Sequence, residues 1–105
     1  MRRFRPQELA ARLQEGDPPL LLDVREPWEF ECCHIPGSHL VPMRQVPETA
    51  PRLDPKAEVV VICHHGIRSR QVALYLERLG FDNVINLEGG VEAWAREVDP
   101  AMPRY

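Results

Sequence analysis

Cys63 and Arg68 are the pair in this 105-residue chain with the most chemical capacity. They frame the stretch Cys63-His64-His65-Gly66-Ile67-Arg68-Ser69, with four residues between the thiol and the guanidinium. A cysteine that ionises is a soft nucleophile, and an arginine is always charged, so the pair suits covalent chemistry on an anionic substrate. The plainer alternative is a buried, inert thiol. Against it stands the order of the parts: apolar run, cysteine, glycine, arginine, then an amphipathic segment. His64 and His65 invite a role as bases, but an already ionised thiol needs none. They are read as exposed loop residues that tune local charge. Asp23 and Arg25, after a second apolar run, are the other charged pair worth following.

Four β-branched residues, Val59-Val60-Val61-Ile62, run straight into Cys63 and predict a strand covered on both faces. The thiol then sits at the C-terminal end of a buried strand, where open α/β sheets place their chemistry. Val72, Leu76 and Leu79 recur at i, i+4 and i+7, predicting a helix that begins near Arg68 and closes at Gly80. A helix N-terminus and a curled loop both aim backbone N–H groups inward, which favours a thiolate, a persulfide or an oxyanion. Gly66 lets the loop turn. Leu20-Leu21-Leu22 with Asp23-Val24 reads as a second strand of the same kind. If the two strands are parallel, Asp23 and Arg25 reach the same edge as Cys63 and can fix its loop.

The rest of the chain supplies the frame. Residues 1–5 suggest a short edge strand, Leu9 to Leu13 a short helix ended by Gly16, and Asp17-Pro18-Pro19 a break. Residues 26–33 suggest a helix with Pro27 in its first turn, residues 34–38 a turn, and residues 39–42 a short strand. Pro42, Pro47, Pro51 and Pro55 leave the next connection irregular, with at most a short helix near 43–50. A last strand at 84–87 and a glycine turn at 89–90 precede a helix marked by Val91, Trp94, Ala95 and Val98, with Trp94 as core and residues 99–105 as a loose tail. This is one domain over 1–105. A formal charge of −3 and a sequence pI near 5.8 give no reason to expect nucleic acid or a membrane surface as partner. The amino terminus lacks the apolar core of a signal peptide, and three cysteines without a disulfide framework fit a reducing, cytoplasmic compartment. Cys32, Cys33, His34 and His39 do not have metal-ligand spacing, because adjacent cysteines rarely converge on one ion. His34 reads as a hydrogen-bonded structural histidine. Cys33 reads as filling the space above the turn and Cys32 as incidental, rather than either as a resolving thiol for Cys63.

Taken together, several pieces resemble the single-domain rhodaneses, a family of sulfurtransferases. They are Asp23-Val24-Arg25-Glu26, Glu29-Phe30, His34-Ile35-Pro36-Gly37-Ser38, Pro42, the loop from Cys63 to Ser69, Leu79-Gly80-Phe81, and Leu87-Glu88-Gly89-Gly90 with Trp94. Cys33 departs from the pattern, which often has glycine before the histidine. The resemblance implies a five-stranded parallel sheet with helices on both faces, Cys63 as nucleophile, and His64, His65, Gly66, Ile67, Arg68 and Ser69 as the substrate loop, supported by Asp23 and Arg25. It implies transfer of sulfane sulfur from an anionic donor such as thiosulfate to cyanide, a thiol or a protein, by a monomer or weak homodimer, with no cofactor and no metal. Arg68 either holds the donor or braces the loop. Two other classes compete. Dual-specificity phosphatases on a similar fold carry five residues between Cys and Arg, so the shorter ring here suits one sulfur better than a phosphate, and arsenate reduction ranks with them. A regulatory binding module or a protein-to-protein sulfur relay is the other.

Overall fold

Two unbroken apolar runs form the middle of the sheet. In the computed structural model, which describes residues 1–105, β4 (Val59–Ile62) is buried at every position and pairs in parallel with β2 (Leu20–Asp23) on one side and β5 (Val84–Leu87) on the other. Continuous apolar sequence is what a strand covered on both faces requires. β1 (Arg2–Phe4) lies beyond β5 and β3 (His39–Leu40) beyond β2, so five parallel strands run in the order β1-β5-β4-β2-β3. From β2 the chain continues to β3 on one side, and from β4 it continues to β5 on the other. The crevice between the C-terminal ends of β2 and β4 is therefore the point where the winding reverses, and Asp23 and Cys63 flank it.

Side chains alternate along each strand, and this divides the interior into two cores. Val60, Ile62, Ile85 and Leu87 pack with Leu9 of α1 (Pro6–Leu13) and with Val91, Trp94 and Ala95 of α5 (Gly90–Glu97). Val59, Val61 and Cys63 point the other way, toward Val46 of α3 (Val46–Thr49) and Val72, Ala73 and Leu76 of α4 (Ile67–Arg78). Each fully buried Val or Ile of β4 contributes roughly 1.5–3 kcal/mol of transfer free energy. The remaining helix, α2 (Pro27–Cys32), follows β2 and begins with a reciprocal capping box between Glu26 and Glu29.

Three local expectations are corrected. The strand expected over 39–42 stops at Leu40, before Pro42, which lacks an N–H for the ladder and instead precedes a turn of 3-10 helix, Met43–Gln45. The proline-rich connection is more helical than expected, as α3 and a second 3-10 turn, Ala50–Arg52, follow directly. Residues 99–105 are not a loose tail. Met102 is 7% exposed within the α1/α5 core, Arg104 pairs with Glu92, and Tyr105 is hydrogen-bonded to Arg25 and Glu29. Asp99-Pro100 ends the helix as expected, but the chain beyond it folds back over the sheet edge, where an aromatic ring finds both apolar cover and polar partners.

Candidate active site

The alternation of β4 sends the Cys63 side chain under the start of α4, and the loop between them supplies its partners. Gly66 takes the left-handed conformation, φ 95°, immediately before α4. A Cβ there would also approach the Gly89 nitrogen to 3.1 Å, so glycine is needed for space as well as for the turn. Cys63 Sγ accepts N–H groups from Gly66 at 3.1 Å and Ser69 at 3.3 Å, and its thiol donates to Ser69 Oγ at 3.3 Å. On the far side of the loop, Val91 N–H donates to the Cys63 carbonyl at 2.9 Å and Glu92 N–H to the His64 carbonyl at 3.1 Å. The N-terminus of α5 thus draws loop carbonyls outward. Gly90 must be glycine for this contact, because a Cβ would collide with those same two carbonyl oxygens.

The loop is clamped from the β2 side by a chain of alternating charges. Asp23 and Arg25 are fully buried and joined side to side, with Arg25 Nε to Asp23 Oδ1 at 2.9 Å and Nη2 to Oδ2 at 2.7 Å. The other Arg25 donors go to the carbonyls of Glu29 and Cys33 and to the Tyr105 hydroxyl, so all five N–H groups of a buried guanidinium are used. Arg25 is held protonated even more firmly than usual, burial being outweighed by its bonds to Asp23 and Tyr105. Glu29 is the hub. Its Oε1 accepts from Glu26 N–H and Arg68 Nη1, and its Oε2 from Arg68 Nη2 and the Tyr105 hydroxyl. The fork of Arg68 beside it, more than burial opposes, lowers the Glu29 carboxyl to a pKa of about 2. Burial raises the Tyr105 phenol above its ordinary range. Four side-chain charges therefore cancel along the crevice.

Of the residues expected from sequence, Cys63, Gly66 and Ser69 are assembled around the sulfur. Arg68 reaches Glu29 with both ends of its fork, the bracing geometry of the two expected alternatives. Asp23 and Arg25 do not touch the loop. They hold α2 and the C-terminal tail, and act on the loop through Glu29, which binds Arg68, and through Tyr105, whose ring stacks on His64. Ile67 faces out, 70% exposed. His65 is exposed as expected, but His64 is not. Its ring is stacked between His65 and Tyr105, each at 3.9 Å between centroids, and its buried Nε2 has no hydrogen-bond partner. Burial, then the neighbouring His65, lowers its pKa. His34 bonds the Phe30 carbonyl through Nδ1 at 2.8 Å and stacks on Phe30, although it is exposed. Cys33 is buried in the α1/α5 core with its thiol pushed up by desolvation, and Cys32 is exposed. Cys63 lies in the opposite core.

Glu29, Asn86 and Tyr105 belong to the site and are not among the site residues expected from sequence, although Glu29 stands in the Glu29-Phe30 piece of the resemblance. Asn86 had a signal: it is the one polar residue in the buried strand β5. Glu29 stood in a capping-box position that explains an acidic residue without any wider role. Tyr105 offered none, since its partners lie 80 and 76 residues away in the chain.

Comparison with known proteins agrees with this fold. Residues 5–97 match the Rhodanese-like domain family. The chain is 39% identical over 106 residues to the chloroplastic rhodanese-like/PpiC domain-containing protein 12 of Arabidopsis thaliana, covering 94% of this chain and 36% of that protein. It is 34% identical over 93 residues to the thiosulfate sulfurtransferase GlpE of Pseudomonas syringae pv. syringae, covering 89% of this chain and 86% of that protein. The chain spans about a third or less of the first curated relatives it matches. The crystal structure of a rhodanese-like domain protein from Staphylococcus aureus superposes with a TM-score of 0.86 at 30% identity, covering 100% of this chain and 99% of that one. A matched span that takes in both β2 and the cysteine loop, together with a fold shared end to end, places this chain in the rhodanese-like family.

Proposed function

We propose that this protein transfers sulfane sulfur with Cys63 as the carrier. The supporting observation is the pair of backbone N–H groups, from Gly66 and Ser69, that converge on Cys63 Sγ at the end of a central strand. The Cys63 thiolate attacks the outer sulfur of thiosulfate or of a persulfide donor. A sulfur–sulfur bond forms, the donor's own sulfur–sulfur bond breaks, and sulfite or a thiolate leaves with the electron pair. The resulting persulfide anion rests against the N–H groups, whose fixed dipoles need no reorganisation to meet it. Cyanide, a thiol or a protein acceptor then attacks the terminal sulfur, and the Cys63 thiolate is restored. Arg68 acts as a brace in this scheme, because its charge is already matched by Glu29. Cyanide and thiosulfate serve as small reagents, while Ile67, exposed beside the loop, favours a protein acceptor. No helix is long and apolar enough to cross a membrane. Three free cysteines, one of them exposed, favour the cytoplasm as the working compartment.

Intact mass before and after thiosulfate tests the proposal. The wild type should gain one sulfur atom that cyanide or a thiol removes, and Cys63→Ala should gain none. A labile sulfur at full stoichiometry on the alanine variant would remove Cys63 as the carrier.

A further inference from the structure

Asn86 makes two side-chain hydrogen bonds, and the first determines the direction of the second. Its amide lies 3.1 Å from the Gly66 carbonyl oxygen, which can only accept, so Nδ2 faces that oxygen and donates. Oδ1 then faces Ser69 Oγ and accepts the hydroxyl proton. With that proton committed, Ser69 Oγ has only lone pairs to offer Cys63 Sγ, and it accepts from the thiol. Asn86, Ser69 and Cys63 are all buried, at 4%, 0% and 1% exposure, so this order of donors is built into the interior and does not depend on the surface.

We infer that Asn86 is a positioning residue that controls how readily Cys63 becomes an anion, by holding the Ser69 hydroxyl away from the sulfur. The inference rests on Cys63 being the sulfur carrier. A thiolate has no proton to donate and can only accept. When the S–H bond ionises and its proton passes to a base in solvent, the Ser69 hydroxyl must turn from Asn86 to the sulfur, and Asn86 Oδ1 loses its donor. The N–H groups of Gly66 and Ser69 need no such turn. Ionisation therefore exchanges one hydrogen bond for another, and the neutral thiol is favoured relative to a site in which the hydroxyl is free. Asn86 also anchors the loop through the Gly66 carbonyl, and losing that anchor works in the opposite direction by loosening the Gly66 N–H.

A double-variant cycle separates these effects. The alkylation rate of Cys63 by iodoacetamide is followed against pH in wild type, Asn86→Val, Ser69→Ala and the double variant, with peptide mass analysis isolating Cys63 from the exposed Cys32. Valine suits a buried strand position. Arg68 with Glu29, the Asp23–Arg25 pair, His64 with His65, and Glu92 surround the loop in all four proteins, so their fields cancel in the cycle. The change in midpoint caused by Asn86→Val should lie about half a pH unit to one unit lower with Ser69 present than in the Ser69→Ala background. Well below the midpoint that is about a three- to ten-fold difference in rate, the size of one hydrogen bond. Equal changes in both backgrounds would make Asn86 a prop for Gly66 and nothing more, and a difference of opposite sign would reject the inference outright. If the valine variant does not fold, as judged by circular dichroism, Asn86→Ala takes its place with the same expected coupling. Thiosulfate loading of the wild type is measured alongside. Failure to load would reject the carrier role while leaving the cycle's answer about Asn86 and Ser69 intact.

Discussion

Glu29→Gln is the perturbation that tests the clamp most directly. The carboxylate uses four donors, and two come from Arg68 in a bidentate pair. Glutamine keeps the shape but has one acceptor oxygen, and in either orientation its NH2 group faces one Arg68 nitrogen, together with the Glu26 N–H or the Tyr105 hydroxyl. A carboxyl held at about 2 in place of its ordinary 4.5 carries about 3 kcal/mol of the folded state's stability at neutral pH. Breaking a buried pair by removing one partner costs about 3–5 kcal/mol, but the Arg68 side chain is 35% exposed and can turn to water, so the lower end applies. The expected loss is about 3 kcal/mol, or roughly 10–15 °C in Tm for a domain of this size. The pH dependence carries the sharper test. The folded pKa is depressed, so the contribution is complete above the unfolded value near 4.5 and is lost as pH falls toward 2. Other carboxylates titrate in both proteins and cancel in the difference. Urea melts followed by circular dichroism should show wild type and variant separated at neutral pH and converging between about pH 4.5 and about pH 2. A gap that stays constant over that range, or one already below about 0.5 kcal/mol at neutral pH, would show that Glu29 is not held by its charge.

Two further outcomes follow from the packing. Gly90→Ala should cost about 3 kcal/mol or more and depress sulfur uptake with stability, because φ is +60° and the new Cβ meets the Cys63 and His64 carbonyls; thermal melts and intact mass after thiosulfate check both, and a variant as stable as wild type would contradict the contact. Replacing Cys32 and Cys33 by serine should leave sulfur transfer within a few-fold of wild type, and peptide mapping after mild oxidation should find no link to Cys63, because Cys33 and Cys63 occupy cores on opposite faces of the sheet. A Cys33–Cys63 disulfide in high yield would contradict that placement.

The parts of the molecule that could be read from sequence are those whose physics is local or periodic. The apolar runs at 20–22 and 59–62 announced parallel central strands, and period-2 alternation along β4 carries through to the face on which Cys63 lies. Gly66 and Gly90 were visible as turn residues, although only the assembled fold shows that their missing Cβ atoms make room for backbone from other segments. What could not be read is the pairing of side chains from distant segments. Glu29 and Arg68 are 39 residues apart and Glu29 and Tyr105 are 76 apart, and no spacing rule connects a helix, a loop and a tail that meet only once the sheet has formed. His64 departs from its expected exposure for the same reason. A polar residue in a loop is ordinarily exposed, and its burial depends on the ring of Tyr105 returning from the end of the chain.

These long-range pairs change where the site's positive character comes from. From sequence, Arg68 looked like the source. In the fold its charge is matched by Glu29, and Arg25 by Asp23, so the crevice has little net side-chain charge. What remains directed at Cys63 Sγ is backbone: the N–H groups of Gly66 and Ser69, the N-terminus of α4, and a loop whose carbonyls at Cys63 and His64 are turned outward by α5. Dipoles of this kind act within about one helical turn, unlike a free arginine, whose field reaches over about a Debye length. A site built this way favours negative charge at a single atom rather than across a polyanion. That property suits a small sulfur-centred anion held against the loop, and it follows from how completely Arg25 and Arg68 are used elsewhere.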